Sequence, residues 1–285
     1  MRAPATSANM GPGFDCLGMA LDLWNEVEAL PGMQQPDADG NLILRAARAV
    51  FDHVGAHYPG FSLRCTNRIP FARGLGSSAA AIASGVVVGN ACLGGLLDTS
   101  ALLQLAVQLE GHPDNVVPCL LGGVRVAAVL ESGRVVQAQV PLAIRLSTVC
   151  FVPDQLSPTA HARGVLPSTI PLADALFNVA RSSLLVAALA SGQSDVLAEA
   201  TRDRLHQPYR LPLFPAGARL LEAALQAGAL GAFTSGAGPS VLAVCGDGQP
   251  VEAVATAFEQ TAHSLGLAGV TMHLSLIDQG AHVVD

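Results

Sequence analysis

A chain of 285 residues in which 51% are hydrophobic and only 13% charged must bury much of itself, which excludes a disordered or fibrous protein and leaves one large domain or two modest ones. A net charge of −7 without a basic stripe argues against nucleic acid as a partner, because nothing offsets phosphate repulsion. All fifteen positive side chains are arginine, which excludes a P-loop ending in Gly-Lys-Ser/Thr and Schiff-base chemistry on lysine. No uninterrupted apolar run of about 18 residues occurs, so no membrane span is expected. Met1 to Ser7 carry no apolar core of a secretory signal, and the six cysteines form no C-x-x-C pair. These features predict reduced, mostly buried thiols in a cytoplasmic protein, with neither a disulfide frame nor a zinc site.

In chain order, residues 3–20 hold three glycines and two prolines among small residues and read as a tight loop, leading into a strand over Leu21 to Ala29. Asn9 and Asp15 are its hydrogen-bonding side chains, with turn capping and ligand binding both open to them. Residues 31–41 read as a surface loop, Leu42 to Val54 as a helix, and Phe61 to Ile69 as a strand closed by Pro70. Gly74-Leu75-Gly76-Ser77-Ser78 then turns the chain into an alanine-rich helix, Ala79 to Leu97. A strand, a glycine turn and a helix opening on Ser-Ser is an arrangement that cradles phosphate on backbone N–H groups. A turn that merely packs a helix on a sheet has the same outline. The third glycine of a dinucleotide fingerprint is missing.

Asp98 caps a second helix, Ala101 to Glu110, followed by Gly111-His112-Pro113-Asp114-Asn115. His112, Asp114 and Asn115 either converge on one site or serve a local turn. Val124 to Val140 reads as a hairpin through Glu131-Ser132-Gly133, and Ile144 to Val152 as a buried strand near a domain boundary. Helices are expected over Leu172 to Ala190, Asp195 to Leu205, Leu220 to Ala227 and Val251 to Leu265, with strands at Val241 to Cys245 and Gly269 to Leu276. A second glycine knot, Ser235-Gly236-Ala237-Gly238-Pro239-Ser240, precedes the first of these strands. Without regular βα alternation, an α+β fold is favoured in each half.

Three segments now coincide: Pro4 to Asp15, Gly74 to Ala80 and Ser235 to Ser240. Together they resemble the three signatures of the GHMP kinases. Glu110 to Asn115 and Asp203 to Arg210, with the opening loop, resemble the homoserine kinase branch of that family. The resemblance runs from residue 2 to about 245. It implies an N-terminal ribosomal-protein-S5-like domain over 1–143, a C-terminal ferredoxin-like domain over 144–285, and an active site in the cleft between them. It also implies transfer of a phosphoryl group from MgATP to the side-chain hydroxyl of L-homoserine, a step of threonine biosynthesis, and is compatible with a homodimer.

By the same resemblance, Pro70, Ala72, Arg73, Gly74, Leu75, Gly76, Ser77, Ser78, Ala79 and Ala80 surround the ATP phosphates, and Asn41 touches the nucleoside. Ser78 and Glu110 hold Mg²⁺, which takes few protein ligands. Arg163 and Arg210 serve the substrate carboxylate, a task that suits the guanidinium fork. Asp15 pairs with the ammonium; Asn9 and Asn115 lie around it and the hydroxyl, and His112, Asp114, Thr159 and Gly236 stand beside them. Asn115 occupies the place where some relatives carry an aspartate base. Catalysis by alignment and charge stabilisation is therefore expected, with the proton leaving through phosphate or water. Phe71 departs from the aliphatic residue usual there, and Met1 lies close to the opening motif, so the expectation is either a short first strand or a different start site. A kinase for mevalonate or a sugar, and a silent nucleotide-binding relative, are the alternatives. A serine hydrolase lacks its Gly-x-Ser-x-Gly.

Overall fold

The computed structural model describes residues 1–32, 40–246, 248 and 251–284, so residues 33–39 of the expected surface loop lie outside the described residues. The first half is built on a long strand, β2 (Leu17–Pro31), which pairs along one edge with β1 (Arg2–Ala8). Its other edge takes β3 (Phe61–Thr66) at one end and, at the opposite end, β4 (Val124–Val129), which forms a hairpin with β5 (Val135–Val140). Every pairing is antiparallel. β1 corrects the expected loop over residues 3–20: only residues 9–16 are loop, and the strand is seven residues long. Its signal was hidden because six of its seven residues are buried, so no polar–apolar alternation appears. Pro4 stands at a register shift, where a missing N–H donor is tolerated.

Helices α1 (Leu42–Val54), α2 (Ser77–Cys92), α3 (Thr99–Glu110) and α4 (Pro113–Leu121) cover this sheet. Asp98 Oδ1 accepts from Ala101 N at 2.8 Å and caps α3 as expected. α2 begins at the Ser-Ser pair and stops at Cys92, short of the expected Leu97, where Gly94 and Gly95 turn the chain with positive φ. It crosses α1 closely through its glycines: a Cβ on Gly85 would fall 2.2 Å from Ile43 O and 2.6 Å from Ala46 Cβ. Gly85→Ala should therefore destabilise the protein by about 1–3 kcal/mol through overpacking, against alanine's ordinary helix advantage of about 1 kcal/mol. A urea midpoint equal to or above wild type would show that the α1–α2 contact is not tight.

The second half runs β6 (Leu146–Pro153), α5 (Thr159–Gly164), α6 (Leu172–Ser191), α7 (Leu197–Ala200), α8 (Gln207–Arg210), α9 (Ala216–Gln226), β7 (Gly231–Thr234), β8 (Val241–Gly246), α10 (Val251–Ser264) and β9 (Gly269–Ser275). The antiparallel order β7-β8-β6-β9 is ferredoxin-like. Asp195 to Leu205 is not one helix. A single 3₁₀ turn at Ser194–Val196 leads into four-residue α7, and the buried Asp203 carboxylate then accepts from the N–H groups of Leu205, His206 and Gln207. An aspartate that binds the backbone ahead of it favours a turn over a continued helix. α6 has the length and mean hydropathy (1.4) of a membrane span, though Asp174, Asn178 and Arg181 interrupt it. Its Leu185, Ala188 and Leu189 join the core.

One hydrophobic cluster runs through both halves, from Leu17, Met19 and Leu75 to Val152, Phe233 and Leu242. After β9 the chain returns to the first half. Gly123 N donates to Ile277 O and Ala281 N to Cys119 O, each at 2.7 Å, while Arg2 and His282 form an antiparallel bridge. The shared core and this return strap leave the two halves facing each other across a cleft.

Candidate active site

The glycine turn lies in that cleft. Gly74 (φ +80°) and Gly76 (φ +70°) adopt left-handed backbone, and a Cβ on Gly76 would fall 2.0 Å from Thr6 Oγ1. Leu75 between them is fully buried and anchors the turn, its carbonyl accepting from Thr6 N at 3.2 Å. Among the described residues no side chain caps α2, and its first helical bond is Ala80 N to Gly76 O at 2.9 Å. The N–H groups of Ser77, Ser78 and Ala79 are therefore the ones left to meet an anion, and that of Ala80 is already committed. Arg73 turns away: its Nε and Nη2 donate to the carbonyls of Pro153 and Asp154 at 2.8 and 2.9 Å, tethering the turn to the second half.

Two cavities meet at Ser77 and Ser78. The larger, ≈ 340 Å³, runs past Asn41, Asn67, Ile69 and Phe71. Asn41 Oδ1 caps α1, accepting from Ile43 N at 2.9 Å and Leu44 N at 3.2 Å. Phe71 stands 72% exposed at this cavity. Pro70 sits beside the turn, half-buried, whereas the Ala79 and Ala80 side chains face the core.

The smaller cavity, ≈ 60 Å³, gathers the remaining expected residues: Ala72, Gly74 and Gly76 from the turn, Asn9 and Asp15 from the opening loop, Glu110, His112, Asp114 and Asn115 from the α3–α4 corner, and Thr159, Arg163, Arg210 and Gly236 from the second half. Asp15 and Arg163, expected at opposite ends of a substrate, pair with each other. Arg163 Nη2 donates to Oδ1 at 2.6 Å and Nη1 to Oδ2 at 3.0 Å. Arg210 is buried, with Nε donating to Ala162 O at 3.1 Å and Nη1 to Gly236 O at 3.3 Å. Burial and the adjacent charge of Arg163 lower its pKa to about 10, which leaves it cationic at neutral pH. Asn9 acts as a brace: Nδ2 donates to Gly236 O at 2.7 Å and Oδ1 accepts from Asp15 N at 3.1 Å.

Ser78 Oγ donates to Glu110 Oε2 at 2.7 Å. Burial raises the Glu110 pKa, although the Ser78 hydrogen bond and nearby His112 oppose the shift. His112 Nδ1 lies 2.7 Å from Asp114 Oδ1. Burial disfavours the imidazolium, but the hydrogen bond and charge of Asp114, with the charge of Glu110, outweigh it and raise the His112 pKa. Asn115 Oδ1 accepts from Thr6 Oγ1 at 2.8 Å. Residues that sequence reasoning did not assign also contribute. Ser157 and Ala237 line the cavity, and Ser235 Oγ lies 2.6 Å from Gly74 O and 2.8 Å from Ser7 Oγ, tying the late glycine knot to the first glycine turn. The Ser-Gly-Ala-Gly-Pro-Ser knot was the available signal for the last of these.

An uncapped helix N-terminus and a charged pocket thus share one cleft of an α+β fold. Residues 41–123 match the GHMP kinases N terminal domain and residues 185–264 the GHMP kinases C terminal domain. The chain is 43% identical to the homoserine kinase of Moorella thermoacetica, with 100% of this chain and 99% of the relative covered. It is 45% identical to that of Gloeobacter violaceus, with 86% of each covered. The crystal structure of homoserine kinase from Cytophaga hutchinsonii superposes with a TM-score of 0.86 at 28% identity, over 98% of this chain and 95% of that one. The chain belongs to the homoserine kinase family of GHMP kinases.

Proposed function

We propose that the protein phosphorylates the side-chain hydroxyl of L-homoserine with ATP, as a step of threonine biosynthesis. The hydroxyl oxygen forms a bond to the γ-phosphorus while the bond from that phosphorus to the β,γ-bridging oxygen breaks. ADP leaves with the electron pair, and the hydroxyl proton passes to phosphate or water. The observation that carries this reading is that the uncapped start of α2 and the Asp15, Arg163 and Arg210 charges line one cavity.

The Ser77, Ser78 and Ala79 N–H groups would hold ATP phosphates, with the nucleoside in the larger cavity beside Asn41 and Phe71. Ser78 and Glu110 offer a hydroxyl and a carboxylate 2.7 Å apart, a hard-oxygen pair that fits Mg²⁺. Bound there, Mg²⁺ would neutralise phosphate charge. The carboxylate role of Arg163 and Arg210 and the ammonium role of Asp15 are part of this proposal. Asp15 and Arg163 are about one-third exposed, and an ion pair so open to water is worth about 1 kcal/mol or less. A zwitterion can exchange that pair for two of its own, ammonium on Asp15 and carboxylate on Arg163 and Arg210. Asn115 is no general base, so the residues act by alignment and electrostatics.

The test is ADP release with L-homoserine, mevalonate and galactose. Turnover is expected with L-homoserine, and below about one-hundredth of that kcat/KM with the other two, which lack an ammonium group for Asp15. Activity on mevalonate alone would sink this assignment.

A further inference from the structure

His206 lies outside the substrate contacts described so far, yet it is the fully buried junction of the acceptor pocket. Its Nε2 lies 2.8 Å from Gly11 O in the opening loop, and its Nδ1 lies 3.3 Å from Arg210 Nη1. A carbonyl oxygen only accepts and a guanidinium only donates, so the two contacts together require one protonation state: hydrogen on Nε2 and a lone pair on Nδ1. Phe14 stacks on the ring at a centroid distance of 5.3 Å and 23° between planes, and the Arg163 and Arg210 guanidinium groups lie 5.6 and 5.1 Å from the Phe14 ring centre. The Asp203 carboxylate, 3.6 Å from Nε2, is occupied by three backbone N–H groups and fixes the turn that carries the ring.

We infer that His206, as the neutral Nε2–H imidazole, is a positioning residue that aims the Arg210 guanidinium at the substrate carboxylate and locks it to the opening loop. This rests on the proposal that Arg210 binds that carboxylate. Arginine has several rotatable bonds, and among the described residues the other polar contacts of Arg210 are to the carbonyls of Ala162 and Gly236. The imidazole acceptor adds a third direction and removes the freedom to swing. A protonated ring would lose the acceptor and set two cations together. Burial and Arg210 disfavour that form, whereas Asp203, Gly11 O and Asp15 favour it; the balance lowers the His206 pKa.

Two isosteric replacements separate the ring's two contacts. Gln at 206 retains a donor near the Nε2 position and loses the acceptor for Arg210; Asn retains an acceptor near Nδ1 and loses the reach to Gly11. His206→Gln should raise the L-homoserine KM about tenfold, with kcat changed less than about threefold and the ATP KM unchanged. His206→Asn should recover most of that KM. Arg210→Gln, measured alongside, should raise the same KM at least as far. An effect on Arg210→Gln with none on His206→Gln overturns the inference alone. No effect on Arg210→Gln overturns the carboxylate proposal and this inference with it. Equal damage to both substrates' KM and to Tm in the two His206 variants would reduce His206 to a folding residue and overturn the positioning role. Histidine ¹⁵N resonances of the unmodified protein give a readout that needs no variant. The ring of His206 should be the Nε2–H tautomer at pH 7.5, and an Nδ1–H or doubly protonated ring would overturn the assignment.

Discussion

Alanine at Gly74 is expected to lower kcat/KM for ATP by about 10²–10³-fold while leaving the protein folded. Two obstacles act together. The residue sits at φ +80°, where a Cβ is strained, and that Cβ would lie 2.2 Å from Ser235 O and 3.0 Å from Gly238 O. Both are backbone atoms of the second glycine knot, which is tied by Asn9, by Ser7 and by Gly236 N donating to Ala8 O. Neither side can yield by a rotamer change, so the phosphate turn and the knot must separate by roughly 1 Å, enough to cost about 10²-fold through misplacement alone. Gly94→Ala supplies the control. It has a similar φ of +73° but open space around it, so its penalty of about 1 kcal/mol should appear in Tm and leave turnover intact. ADP release across an ATP series, with Tm for both variants, is the measurement. Gly74→Ala kinetics within threefold of wild type would show that the contact between the two glycine loops does not set the phosphate site.

Glu110→Gln should lose about 10²-fold in kcat, need more Mg²⁺ for half-maximal rate, and nevertheless melt at a higher temperature at neutral pH. The amide keeps an oxygen for the Ser78 hydroxyl, so the local packing survives. The stability gain follows from burial, which raises the Glu110 pKa. Between its unfolded value near 4.5 and that raised value the folded state binds the extra proton, so stability falls as pH rises through the folded pKa. The charged carboxylate is thus a cost to the fold at pH 7 that the glutamine removes. The Tm advantage of Glu110→Gln should be present at pH 7.5 and vanish towards pH 4, where wild type carries the neutral acid too. A variant that loses both activity and Tm at pH 7.5 would sink this account, because it would make Glu110 a structural rather than a metal-facing carboxylate.

Much of the proposed phosphate side was legible from residue order. A strand, Gly74-Leu75-Gly76 and Ser77-Ser78 opening an alanine-rich helix are local signals, and the absence of lysine left backbone N–H groups as the natural anion ligands. The acceptor side was legible only as a set of residue types. Arg73 and Ala80, assigned to the phosphates with their neighbours, are engaged elsewhere because a carbonyl of the second half and a helical bond claim their donors. β1 has no signature in the residue pattern because a strand buried on both faces carries no period of two, and the expected 195–205 helix failed because Asp203 binds the backbone ahead of it.

By itself the amino-acid order determined the α+β class, the two glycine turns, a helix carrying Ser77-Ser78 in its first turn and the candidate charged groups, since each depends on neighbours along the chain. The tertiary structure alone decided which charges meet. Asp15 and Arg163, 148 residues apart, form a bidentate pair, and Gly74 lies against Ser235, 161 residues away. It also decided that His206 bridges Gly11 and Arg210. No local propensity encodes such contacts. They arise because one hydrophobic core and the returning 276–284 strap hold two separately built sheets in a single orientation, and that orientation brings side chains of remote segments into one cleft.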